Sequence, residues 1–215
     1  MANISQFSLY VTLLLMLLWT PTTGRAGLIS DAASGNLPAL KALAAAHANV
    51  NVRASDGSTA LIKAADNNRT DCVIFLIAVH ANVNAAARDG TTALMEAAAL
   101  DCQAETKADL AKNEKSYEKQ GVSDAGEKLE AAYSNLPVVK SLIAARADVN
   151  AKEDMGDTAL IMACGNGSVN AVRALIAAHA DVNAKDNFGG TALQAAAHNG
   201  YKDCVKALKA AGVTQ

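Results

Sequence analysis

Cysteine and histidine are the side chains through which this sequence could most readily do chemistry, and it holds four of each: Cys72, Cys102, Cys164 and Cys204, with His47, His80, His179 and His198. An even number of cysteines in an exported chain invites a disulfide framework, and His with Cys in close clusters invites zinc. Other catalytic signatures are missing. The chain has no Gly-rich phosphate loop, no G-x-S-x-G and no H-E-x-x-H, so neither a nucleotide site, an activated serine nor a catalytic zinc has its local motif. No carboxylate pair stands out from a background of surface acids. Sequons at Asn68 and Asn166 matter only in a eukaryotic secretory pathway.

Composition narrows the classes further. Of 215 residues, 51% are hydrophobic and 19% charged, which suits one folded domain or one elongated repeat array and excludes disorder of the whole. Net charge is -2, and Lys152, Lys185 and Arg173 sit among acids. With no basic stripe to follow a phosphate backbone, nucleic acid is not an expected partner. Residues 1–26 differ from the rest. Phe7 to Trp19 is an apolar run of 13 residues, followed by Thr20-Pro21-Thr22-Thr23 and the small residues Gly24 and Ala26 around Arg25. That pattern reads as a secretory signal peptide cleaved after Ala26, and the run falls short of the roughly 20 residues a spanning helix needs. The n-region has no Lys or Arg, so an uncleaved N-terminal anchor is the alternative, and a membrane is expected as a partner only in that case. The expected location is periplasmic or secreted.

The elements that must position any site follow from a period. Thr59-Ala60-Leu61, Thr92-Ala93-Leu94, Thr158-Ala159-Leu160 and Thr191-Ala192-Leu193 recur at intervals of 33, 66 and 33. After each Thr come an Ala-Ala pair or its equivalent, a Val such as Val73 or Val172, and a Leu such as Leu76 or Leu175. The unit closes on Ala81-Asn82-Val83-Asn84-Ala85, Ala147-Asp148-Val149-Asn150-Ala151 or Ala180-Asp181-Val182-Asn183-Ala184. Asp56-Gly57, Asp89-Gly90, Met155-Gly156 and Phe188-Gly189 supply turns, and the following Thr is placed to cap a helix. Helices of about ten residues cannot bury their faces alone, so neighbours must stack.

These residues resemble the ankyrin repeat, with its D-G-x-T-P-L-H-x-A-A, V-x-x-L-L and G-A-D-V-N-A segments, across nearly all of the chain after residue 26. The resemblance implies an all-α fold: an ankyrin-repeat solenoid of helix-turn-helix units with short β-hairpin tips. Residues 27–215 form the array, with units starting near 26, 59, 92, 158 and 191. The position that is Gly in the family, just past the second helix, is His47, His80, Asn113, Arg146, His179 and Gly212 here, and it calls for a left-handed backbone.

The register survives one irregular stretch. Asp101 to Glu130 holds eight acids and five lysines, with Glu105, Asp109 and Glu127 at offsets that are apolar elsewhere. Three carboxylates cannot enter a core without partners. The reading is a degenerate unit, about 101–133, in which a charged helical insertion projects from the stack, with Asp124 and Glu127 as a capping box. Thr92 to Leu100 and Pro137 to Ala145 then make one normal repeat, and six stacked units with two poor helices is the alternative.

The period also decides the cysteines and histidines. Cys72 and Cys204 share one offset four teeth apart. Layers of about 8–10 Å separate them, beyond the roughly 7 Å limit between bridged Cα atoms. Both read as buried hydrophobes, as does Cys164, and only Cys102 is expected at an edge. His47, His80 and His179 share one offset, a layer or more apart, so no metal is expected; nor is a cofactor.

The resemblance implies that a partner docks on a concave face of tips and first helices. The non-core residues there are Asp56, Lys63, Asp66, Arg88, Asp89, Glu96, Met155, Asp157, Met162, Asn166, Phe188, His198 and Tyr201. Met155, Met162, Phe188 and Tyr201 are the expected anchors, being types that interfaces favour. The expected function is a monomeric, non-catalytic protein-binding module. A membrane-tethered structural element and an enzyme drawing on the insertion are the alternatives.

Overall fold

The computed structural model describes residues 21–100 and 135–213, with side chains from Gly27 onward. The apolar leader, Cys102 and the charged stretch around 101–133 therefore lie outside the described residues, as does the expected capping box at Asp124 and Glu127.

Short helices alternate between two types. The first type is α1 (Pro21–Ser34), α3 (Ala60–Asp66), α5 (Ala93–Ala99), α7 (Ala159–Gly165) and α9 (Ala192–His198); the second is α2 (Leu37–Ala45), α4 (Thr70–Ala78), α6 (Leu136–Ala144), α8 (Val169–Ala177) and α10 (Lys202–Ala210). Thr59, Thr92, Thr158 and Thr191 cap α3, α5, α7 and α9, each hydroxyl accepting the N–H three residues on. Pro38 and Pro137 stand in the first turns of α2 and α6, where a missing N–H costs nothing. The helix α1 begins five residues ahead of the expected first unit, on Pro21; proline's fixed φ suits a first helical position.

Helices of seven to nine residues are unstable in water alone, and burial shows what holds them. In α3, Ala60, Leu61, Ile62, Ala64 and Ala65 are all buried, so that helix is enclosed on most sides. Second helices bury one stripe, such as Cys72, Val73 and Leu76 or Ala171, Val172 and Leu175. Alanines in the first helices let layers approach closely, and leucines between them supply the apolar area, roughly 1.5–3 kcal/mol for each fully buried side chain.

The stacking order is regular. Within the first row α1 packs on α3, α3 on α5, α5 on α7 and α7 on α9; in the second row α2, α4, α6, α8 and α10 follow in the same way. Each layer pairs a first helix with a second one, and in the middle layer α5 pairs with α6, although 36 residues separate Ala99 from Leu136. Asn135 joins the two sides: its Nδ2 donates to Ala97 O at 2.7 Å and to Leu100 O at 3.2 Å. From the next layer, Ser168 Oγ donates to Leu100 O at 2.6 Å. The chain leaves α5 at Leu100 in an extended conformation (φ -62, ψ 116), whereas α3 ends on Asn67 at φ -100, ψ 15.

Second helices close with a Schellman pattern. His80 N–H donates to Ile77 O and Ala81 N–H to Leu76 O, and the same pair of bonds follows α2, α6, α8 and α10. This requires positive φ at His47, His80, Arg146 and His179 (57 to 65°) and at Gly212 (89°). A side chain there is strained by roughly 1–2 kcal/mol, partly offset by the larger unfolded-state entropy of Gly. His80→Gly and His179→Gly are each expected to raise the unfolding free energy by about 0.5–1 kcal/mol, read as a higher urea midpoint at unchanged slope.

The tips are single antiparallel bridges, Ala86 with Thr92, Lys152 with Thr158 and Lys185 with Thr191. Among the described residues, no helix is long and apolar enough to cross a membrane.

Candidate binding face

Successive tips are bonded to one another through the backbone. Arg88 N–H donates to Asp56 O at 3.0 Å, Asp154 N–H to Asp89 O at 2.8 Å and Asn187 N–H to Met155 O at 2.9 Å. The middle bond spans the irregular stretch, so the tip after it sits directly on the tip before it. The approach is close enough to demand glycine: a Cβ on Gly90, at φ +84, would lie 2.8 Å from Glu153 Cα. Behind the tips a second ladder runs through side-chain amides. Asn51, Asn84 and Asn150 each accept, through Oδ1, the N–H of Asn82, Asp148 and Asp181 in the following unit, all at 2.8 Å.

Each tip carries a carboxylate that caps its own turn, but its place shifts along the array. In the first two tips it is the apex residue. Asp56 accepts the Ser58 N–H at 2.9 Å and Asp89 the Thr91 N–H at 3.0 Å. In the last two it lies two residues before the apex. Glu153 accepts the N–H groups of Met155 and Asp157, each at 2.9 Å, and Asp186 accepts those of Phe188 (2.8 Å) and Gly190 (2.7 Å). The apex is thereby released from capping, and Met155 and Phe188 occupy it.

Electrostatics divide the face. Ser58 holds the Asp56 carboxyl down to about 2, its buried hydroxyl acting as a nearby dipole outside hydrogen-bonding geometry and its N–H as a donor, with Lys63 at 3.5 Å adding to the effect. The Thr91 N–H lowers Asp89 likewise. Both acids favour folding above the ordinary carboxylate value of 3.8, and that contribution is lost as pH falls through their lowered values. Lys63 also lies 3.9 Å from Asp66.

Glu96 behaves oppositely. Burial and then Asp66 raise its carboxyl above the ordinary 4.5, Lys63 opposing and Asp89 adding to the rise. Such a group favours folding most below its unfolded pKa, and the contribution is lost as pH rises through the folded value. Glu96→Gln is therefore expected to melt above the parent at about pH 7, the advantage vanishing below about pH 4. Asp157 is also raised, by burial and then by Glu153 and Asp186.

The expected anchors separate into two pairs. Met155 is 54% exposed and Phe188 80% exposed, whereas Met162 and Tyr201 are partly buried and packed against the core. The Tyr201 ring lies over Gly167, where an added Cβ would meet it at 2.6 Å. Asn166 is exposed but works as a joint, its Nδ2 donating to Ala99 O at 2.6 Å, as Asn199 does to Gly165 O at 2.7 Å. Arg88 and His198 are exposed on the surface. Glu153 and Asp186 were absent from the sequence-derived set, although acids one period apart at the start of two tips are a readable signal. Cys72, Cys164 and Cys204 are free and buried, burial pushing the Cys164 thiol up to about 12; such thiols are inert.

The family model for ankyrin repeats (3 copies) matches residues 28–116 and 129–214, well over half of the chain. No curated protein matches it. Ankyrin repeats are generally protein–protein interaction modules, typically non-catalytic. The two-row stack, the Thr-capped first helices, the bonded tips and the family match together place this chain in the ankyrin repeat family.

Proposed function

We propose that the protein is a non-catalytic, monomeric protein-binding module, exported to a periplasmic or secreted location, that holds its partner on the concave face of tips and first helices. The observation that carries this reading is the unbroken tip ladder, from Asp56 through Asp89 to Met155 and Asn187. It sets exposed groups from four units on one pre-organised surface, and pre-organisation lowers the entropy cost of association. Displaced carboxyl pKa values on the face are accounted for by turn capping or by burial beside other acids. The export part rests on the apolar leader and the small residues before Gly27.

A photo-crosslinking residue in place of Met155 or Asp89 is expected to give a covalent adduct with a partner protein in the native compartment, and one at Lys140 or Lys206 on the second helices to give none. Adducts only from the second helices would overturn the docking face. Mass spectrometry of the exported chain should find Gly27 at its N-terminus, and retention of residues 1–26 would contradict cleavage and favour the uncleaved N-terminal anchor.

A further inference from the structure

We propose that Met155 and Phe188 form an apolar anchor point for a cationic segment of a protein partner, in which a large aliphatic or aromatic side chain is flanked by Lys or Arg. The inference rests on the binding-module reading and assigns its partner chemistry. Two neighbouring tips present these side chains, tied through the Asn187 N–H to Met155 O bond of 2.9 Å. Their exposure, 54% and 80%, has no counterpart in the first two tips, where the same positions are Asp56 and Asp89. Turn formation does not need them, because Glu153 and Asp186 have taken over the capping. Large apolar side chains freed from any folding duty, at the prominent end of a rigid turn, are the kind that anchor interfaces.

Charge says what covers them. Glu153, Asp154, Asp157 and Asp186 flank the pair in the two tips, and the ion pairs of Lys63 reach Asp56 and Asp66 in another unit. Lys152 and Lys185 are the cations nearest in sequence, each three residues before its apex, so four acids face two cations; the Lys152 Nζ donates to Lys185 O at 2.6 Å, bridging the bases of the two tips. Farther along the face Asp56, Asp66, Asp89 and Glu96 stand with Arg53, Lys63 and Arg88, leaving the face as a whole net negative. Second helices on the opposite side carry Lys41, Lys140, Arg173, Lys202, Lys206 and Lys209 against Asp71 and Asp203, so a cationic segment is attracted to the tips and repelled from the back.

The test is selection of short random peptides displayed on phage against the immobilised protein, followed by binding measurements on the recovered sequences as synthetic peptides. Recovered sequences are expected to be net positive and to hold an aromatic or long aliphatic residue. Phe188→Ala should weaken their binding roughly tenfold or more, Asp154→Asn and added salt should weaken it several-fold, and the melting point of both variants should stay at the parent value. Neutral or acidic winners, binding indifferent to Phe188→Ala, or no enrichment would overturn the inference. Winners that map by substitution to Asp66 and Glu96 would overturn it while leaving the binding-module reading intact, and winners lost on charge reversal of Lys140 and Lys206 would overturn both.

Discussion

Leu160→Ala is expected to lower the unfolding free energy by about 3 kcal/mol. Leu160 is 0% exposed in α7, a helix packed between α5 and α9 and backed by α8. The lost methine and methyl groups would leave a void among three neighbouring helices, in a helix whose other buried residues include the small Ala159, Ala163 and Cys164, and a tightly packed interior closes such a void only in part. Array stability is approximately a sum of unit and interface terms, so one truncation weakens both interfaces of its layer. Ile74→Ala, at a site 50% exposed on α4, serves as the comparison and should cost less than about 0.5 kcal/mol. Urea unfolding of the two variants would check this; similar midpoints for both would show that the layers are not tightly packed around Leu160.

The second large effect concerns residues 101–133. Ordinary layers connect their two helices through three residues, as Asn67, Asn68 and Arg69 do between Asp66 and Thr70. In the middle layer Leu100 and Asn135 stand at the offsets of Asn67 and Arg69, and the residue between these two is left-handed in an ordinary layer, as Asn68 is at φ 51°. Removing the 33 residues 101–133 places Ser134 at that position, and Ser134→Gly supplies the residue that adopts positive φ, as Gly167 does at 75°. The excised protein is expected to fold. Shortening the connection from 36 residues to three should also stabilise it by about 2 kcal/mol through loop-closure entropy. Circular dichroism and urea unfolding would measure both. A loss of several kcal/mol would mean that residues within 101–133 help to hold the layer.

Much of the stack was legible because each device is local and repeats. Thr191 with Gln194 announces a helix start, Pro38 and Pro137 stand in first turns, and His80 and His179 reach positive φ where the repeat calls for glycine. The pairing of α5 with α6 could be read from register, since Asn135 falls at the offset of Arg69, Ser168 and Tyr201. The face was less legible. Whether Tyr201 is free to bind depends on Gly167, 34 residues away in the preceding unit, and Met162 leans on the core for reasons of neighbouring volume that no single-unit pattern carries. Phe188 and Tyr201 looked alike as interface residue types, yet one is 80% exposed and the other is packed. The shift of the capping carboxylate from apex to turn start became visible only through its hydrogen bonds, because Asp is common at either place in a turn.

The central claim is that the tips and first helices of one continuous stack hold a protein partner. Amide hydrogen exchange, measured on the protein alone and joined to the partner trapped by crosslinking, tests it most directly. The account predicts slowed exchange in the tips around 86–92, 152–158 and 185–191 and in the first turns of α5, α7 and α9, with α4, α6, α8 and α10 unchanged. Protection confined to α4, α6, α8 and α10 would contradict it.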